Sequence, residues 1–332
     1  MANTLFPRFH ERAYTTTTEI LQQQVDLFNA ASGGAIVLRA QPMVSDYQDS
    51  AFYKKLNGLV LRRNAYDDQP LTALNLEMLT ETAVKVGAGT PPVNMNPNDL
   101  EWLQRDPDEM AAVYALQLAP EMLADMLNVA IAAAASAIKT AHTALNPLVY
   151  DKSNILNNQA LTNGDLVEAS SYFGDQAQRL RTWVMHSAPL HKLYQQNLSN
   201  LNQLFDYGNV RIVADIFGRN FIITDSPSLI VTGVPAVYRT LGLAENGIIV
   251  GQNGDLRQNI DVRNGRTNIT ATMQSEWSYN LQLKGYAWDK TNGGGSPSNF
   301  ALALGTNWDK VASNNKDTCG VMLETELVNA AT

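Results

Sequence analysis

The sequence holds one cysteine, Cys319, and four histidines among 332 residues. A single thiol excludes an internal disulfide framework and any zinc site built from several thiolates, and it suits a reducing compartment. Its plainest role is that of a small buried hydrophobe. Charge is also sparse: 24 Lys and Arg stand against 32 Asp and Glu, for a net charge of -8. The two signs are interspersed, so the basic stripe that grips a nucleic-acid backbone is missing. Long apolar runs are absent as well. The most apolar stretch, residues 129–138, is rich in alanine and falls short of the roughly 20 residues that span a bilayer. The first residues carry Arg8, His10, Glu11 and Arg12 with no apolar core, unlike a secretory leader. What remains is a chain 45% hydrophobic, long enough to bury a large core.

Helical and strand signals occupy different stretches. Residues 17–29 predict a short amphipathic helix capped by Thr17 or Thr18, with Ile20, Leu21, Val25 and Phe28 on one side. From 35 to 97 the signals turn to strands at 35–38, 56–63 and 82–86, separated by turns. This segment is thin in core-forming side chains. An isolated hairpin is marginal in water, so it needs something outside itself to lie on. A helix over 106–140 follows, with Asp106 as cap, Pro107 at its first position and Glu109 reaching back to the cap. Met110, Tyr114, Leu118, Met122 and Met126 recur every four residues as one stripe. Pro120 removes an interior hydrogen bond and predicts a kink or a break. Beyond Asn128 the helix is apolar all round, and its small side chains admit close neighbours. Helices are further expected at 163–181 and 189–202, a strand at 183–185, and mainly strands after 210. Helices in the middle and strands at both ends make this an α+β chain.

Little in the sequence points to catalysis. His186 and Ser187 are the best nucleophilic pair, but neighbours on a strand face opposite ways, and Ser187 fits the cap of a following helix. No histidine or cysteine spacing matches a metal site. Gly87-Ala88-Gly89 runs into Thr90-Pro91-Pro92, which cannot open a phosphate-binding helix. Asp106, Asp108 and Glu109 occupy a helix start, where the dipole favours them without catalysis. The basic group Arg62 and Arg63, with Lys54 and Lys55 upstream, is either a solvated strand face or a contact to an acidic patch on another copy.

Asn163-Gly164-Asp165, Phe173-Gly174-Asp175 and Trp183-Val184-Met185-His186-Ser187 follow one another ahead of a helix. Phe217-Gly218-Arg219 and Ile222-Ile223-Thr224-Asp225-Ser226-Pro227 come next, then Gly285-Tyr286-Ala287-Trp288, Ser296-Pro297, Asn307-Trp308 and Lys316-Asp317. In this order, across residues 35–327, the series resembles the major capsid proteins of tailed bacteriophages.

The resemblance implies the Hong Kong 97-type capsid fold: an N-terminal arm (1–34), an extended β-hairpin loop (35–96), a long spine helix with the first part of a peripheral domain (97–145), an axial domain (146–264) and the second part of the peripheral domain (265–332). It implies a non-enzymatic subunit of hexameric and pentameric capsomers, forming an icosahedral or prolate shell around double-stranded DNA. Such a shell belongs to the virion and is assembled in the bacterial cytoplasm. The implied partners are further copies, a separate scaffolding protein, a portal and a decoration protein, with no cofactor, metal or membrane. Lys54, Lys55, Arg62, Arg63 and Lys85 are the candidate inter-subunit residues. The lysines among them show no context for covalent crosslinks. An encapsulin-like compartment and a hydrolase using His186 and Ser187 stay open as alternatives.

Overall fold

The computed structural model describes residues 2–54, 59–66, 68–95, 107–153, 159–180, 182–196, 202–207, 210–214, 219–265, 267 and 269–327. Two helices and two sheets share one continuous buried core. The long helix runs Pro107–Ala141 without interruption, so Pro120 lies inside it and does not divide it. Proline there forgoes only the bond to the Leu116 carbonyl, and the remaining turns, rich in strong helix formers, carry the helix through. Leu118, Met122 and Met126 of the expected stripe are buried, and Tyr114 is half-buried. Asp106 lies outside the described residues.

The C-terminal half of this helix bears out the enclosed reading, with Ala130, Ile131, Ala133, Ala134, Ala137 and Ile138 fully buried. Its small side chains let a 3-10 turn at Gly305–Asn307 press against it. A Cβ on Gly305 would meet Thr140 Oγ1 at 2.0 Å and the Ser136 carbonyl at 2.4 Å. By length and composition, residues Ala111–Ala141 could cross a membrane, yet 72% of the most apolar window is buried within the fold. It is a core helix here.

The N-terminal helix is longer than expected: it spans Ala2–Ala31, and Thr17 lies buried in its middle instead of capping it. Phe9, Ala13, Thr17, Leu21, Val25 and Phe28 form one buried face at helical spacing. Two of those six residues, Ala13 and Thr17, are small, which conceals its period. The helix packs along the long helix, and Phe9 meets Tyr114 with ring centroids 6.4 Å apart.

Both helices lie on a seven-stranded sheet centred on the strand Thr270–Leu283. One flank of that strand takes Ile248–Gln252, which pairs in parallel with Ile36–Ala40, and Arg257–Arg263. The other flank takes Met78–Gly89 and Val93–Met95. Tyr47–Tyr53 pairs antiparallel with Met78–Gly89 and forms the edge. The strand expected at 56–63 is thus displaced: among the described residues pairing runs over 47–53, and 59–63 have no partner strand.

The second sheet has the order Val149–Asp151, Gly320–Thr325, Val237–Leu243, Thr182–Met185, Asn220–Thr224, Val210–Ala214 and Asn202–Tyr207, with Ile230–Val231 beside Val237–Leu243. Gly242 permits a close crossing, since a Cβ there would lie 2.8 Å from the Trp183 ring. The helix expected at 163–181 is split. An α-helix spans Asn163–Ser171, and a 3-10 segment Gly174–Arg179 starts at Gly174, whose φ of 54° ends regular helix geometry. Of the helix expected at 189–202, the described part is Ser187–Gln196; residues 197–201 lie outside the described residues, and Asn202 belongs to a strand. Mixed helices and strands in segregated layers confirm the α+β class.

Candidate functional site

The hairpin of Tyr47–Tyr53 and Met78–Gly89 divides into a fastened base and a bare tip. At the base, Val84 and Val86 are buried in the sheet, Asp49 pairs with Lys290 at 2.7 Å, and Glu81 accepts the Gly285 N–H at 2.7 Å. Pairing continues to Tyr53 and Met78, and the Lys54 N–H donates to the Glu77 carbonyl at 2.9 Å. Beyond that point residues 59–66 and 68–78 are all exposed. Eight of them are large and apolar: Leu59, Val60, Leu61, Tyr66, Leu71, Leu74, Leu76 and Met78. Val60 and Tyr66 are 94% and 99% exposed, so they touch essentially nothing in their own subunit. The segment is not thin in apolar residues, as the sequence suggested; its apolar residues are simply not used by its own core. Burying such side chains is worth about 1.5–3 kcal/mol each. An apolar patch of this kind marks an interaction surface.

The five candidate basic residues do not form one cluster. Lys54 sits at the hairpin neck and is spent on Glu77, with Nζ to Oε2 at 2.6 Å. Lys85 lies on the sheet body, where its Nζ donates to the Met43 carbonyl at 3.3 Å and its N–H to the Asp46 carbonyl. Arg62 and Arg63 are exposed in the apolar tip, without an ion-pair partner among the described residues. Lys55 lies outside the described residues. Exposed ion pairs contribute about 0–1 kcal/mol, less than burial of the tip's apolar residues offers.

His186 and Ser187 are adjacent to Asp225, giving a grouping with the residue types of a hydrolytic triad. The roles do not follow. His186 Nδ1 accepts the Ala188 N–H at 3.1 Å, and its Nε2 faces Asp225 Oδ1 at 3.4 Å. Ser187 Oγ lies 3.5 Å from the same Nδ1, a longer contact than the Ala188 N–H makes, so the Nδ1 lone pair serves mainly the first turn of the helix Ser187–Gln196. Asp225 is held below the ordinary aspartate range, chiefly by the Ser187 side chain and then by the Ser187 N–H. The arrangement caps a helix start. It caps through both His186 and Asp225, where the sequence suggested Ser187 alone. Among the described residues no group of His, Cys, Asp and Glu could hold a metal ion.

The sequence matches the Gp13-like family, described as major capsid protein 13-like, over residues 6–322. The chain belongs to this family. No curated protein matches the sequence in a direct comparison. Among solved structures, the capsid asymmetric unit of cyanophage Pam1 aligns at 10% identity, covering 87% of each chain with a TM-score of 0.52. The capsid of Ralstonia phage GP4 aligns at 12% identity, covering 92% of each chain with a TM-score of 0.50. These two show that the fold is of the phage-capsid, Hong Kong 97 type. The holo-SrpI encapsulin complex of Synechococcus elongatus aligns at 11% identity over 89% of this chain and 88% of that one, with a TM-score of 0.49, and carries no weight.

A major capsid protein is a shell component of the virion, and its working surfaces are its contacts with other copies. Besides the hairpin tip, two concave surfaces flank the long helix. One cavity of about 660 Å³ lies between the two long helices and the sheet, lined by Leu21, Val25, Met122, Met126 and Trp277. The other, about 530 Å³, lies between the long helix and the Gly89 end of the hairpin strand. Helix spacing in the sequence could have grouped the helical side of either. The sheet side is set by strand pairing and gives no local signal.

Proposed function

We propose that this major capsid protein assembles through its hairpin into hexameric and pentameric capsomers of an icosahedral or prolate head. That head encloses double-stranded DNA. The exposed apolar tip is the observation that carries the reading, because a subunit that stayed alone would leave it in water. The residues act structurally and not catalytically, in keeping with the commitment of His186 to a helix cap. Copies of the same chain are the principal partners, and a separate scaffolding protein, a portal and a decoration protein complete the head. The family assignment favours this over an enzyme-filled compartment.

Within the subunit we assign residues 1–34 to an arm, 35–96 to the extended loop, 97–145 and 265–332 to a peripheral domain, and 146–264 to an axial domain. Strands cross these divisions: Ile248–Gln252 joins the hairpin sheet, and Gly320–Thr325 joins the second sheet. Arg62 and Arg63 are the inter-subunit residues that this reading retains in the tip. Lys54 and Lys85 serve the hairpin itself.

The test is a tip truncation that leaves the base intact. Removing 46–85 would take Val84 out of the core, so residues 55–76 should instead be replaced by Asn-Gly, a two-residue turn suited to a hairpin closed at Lys54 and Glu77. The truncated chain should fold, by circular dichroism, and remain as subunits or loose capsomers, whereas the full chain forms closed particles in electron micrographs. Normal particles from the truncated chain, or a full chain that stays a monomer of 36.4 kDa, would overturn the reading.

A further inference from the structure

The groove between the long helix and the end of the hairpin strand has a composition complementary to the tip. Tyr114, Leu118, Glu121 and Asp125 line it at helical spacing, and Pro91 and Trp277 face them from the strands. Its charged lining residues are both acidic. Glu121 and Asp125 stand four positions apart, an arrangement in which like charges repel. Glu121 is exposed, and Asp125 is half-buried and accepts the Tyr279 hydroxyl at 3.3 Å. Burial pushes the Asp125 carboxyl above its ordinary range, outweighing the Tyr279 hydrogen bond that lowers it. The tip offers Leu59, Val60 and Leu61 beside Arg62 and Arg63, which have no ion-pair partner among the described residues, with Asp68 as its exposed acid.

The tip cannot reach the groove of its own subunit. Pro91 lies just past the Gly89 end of the strand Met78–Gly89, and the tip lies beyond the Met78 end. Twelve extended residues separate the two by roughly 36 Å. Given that the hairpin reaches another copy, as proposed above, we infer that the tip docks in this groove of a neighbouring subunit. Leu59, Val60 and Leu61 cover Tyr114, Leu118 and Trp277 there, and Arg62 and Arg63 meet Glu121 and Asp125. The apolar cavity across the long helix is the weaker receptor, because its lining carries Arg39 beside its acids.

A two-site crosslink tests the pairing in the full chain. Cys319 is buried, its thiol pushed up to about 12 by desolvation, so it does not compete. Particles of the double variant R63C/E121C, treated with a short bismaleimide, should give a ladder of covalent multimers on a denaturing gel, and each single variant should give none. Particles that form but give no ladder overturn the groove assignment, as does a ladder from R63C/Q22C, which probes the other cavity. If the double variant does not form particles, charge reversal decides. R63E and E121R should each reduce particle yield at least several-fold, and R63E/E121R should recover it; no recovery overturns the pairing. Failure of the wild-type chain to form particles is a different result and counts against the assembly reading itself.

Discussion

Lys152 is the most consequential single charge in the core. It is 1% exposed, and its Nζ donates to Asp165 Oδ2 at 2.7 Å and to the Ala160 carbonyl at 2.9 Å. Asp165 also accepts the Thr162 N–H at 2.7 Å and so completes the capping box of the helix Asn163–Ser171. Replacing Lys152 by methionine strands a buried carboxylate and should cost about 3–5 kcal/mol, seen as a lowered denaturation midpoint. A midpoint unchanged within error would show that water reaches Asp165. Asp225 gives a pH-dependent counterpart. A carboxyl held below its ordinary value contributes stability that is present above that value, near pH 4, and lost as pH falls through the folded one. The Asp225→Asn variant should therefore be less stable than the parent at neutral pH and converge with it in acid. Thermal melts at about pH 7, 5 and 3 check this, and a gap that persists unchanged in acid would remove the Ser187–Asp225 link from the account.

At the scale of elements, the long helix shows why parts of the fold were legible. Its Pro107 start and its four-residue stripe are local signals, and they produced the right helix at nearly the right bounds. The N-terminal helix was half missed because Ala13 and Thr17 hold its buried face where a large residue would have announced it. The hairpin failed differently. Leu59, Val60 and Leu61 read as a strand because apolar β-type residues mark surface that becomes covered; they do not say by which chain. In the groove, the helical residues Tyr114, Leu118, Glu121 and Asp125 were within reach of sequence spacing, while Pro91 and Trp277 arrive by pairing between strands some 185 residues apart. The two faces of the long helix also predict opposite mutational costs. Ala134→Leu adds bulk where nothing is exposed and should destabilise by about 1–3 kcal/mol. Leu116→Ala, on the exposed side, should stay within about 0.5 kcal/mol. Denaturant titration of both variants checks the contrast, and equal costs would mean that the exposed side is covered in the isolated subunit.

At the scale of the whole molecule, the charge balance bears on how a shell treats its contents. Binding to DNA gains from each phosphate neutralised by Lys or Arg, through release of condensed counterions, and weakens steeply with salt. Here the net charge is -8. On the open polar face of the hairpin sheet, Arg257 and Arg263 are matched by Asp261 and Glu276. Arg263 donates to Asp261 at 3.1 Å, so part of that positive charge is satisfied within the subunit. Arg62 and Arg63 would be occupied by a neighbouring copy once a shell forms. A wall of this kind would repel a polyanion on average and leave packed DNA free to slide. The purified chain should therefore produce no mobility shift with linear double-stranded DNA at about 0.15 M salt, and lowering the salt to about 0.05 M should add only weak, non-saturating retention. The tip-truncated chain, expected not to close a shell, should behave the same way. A tight shift by either chain that falls steeply with salt would place a cationic surface on the subunit. The picture of a shell that confines its DNA without gripping it would then have to be abandoned.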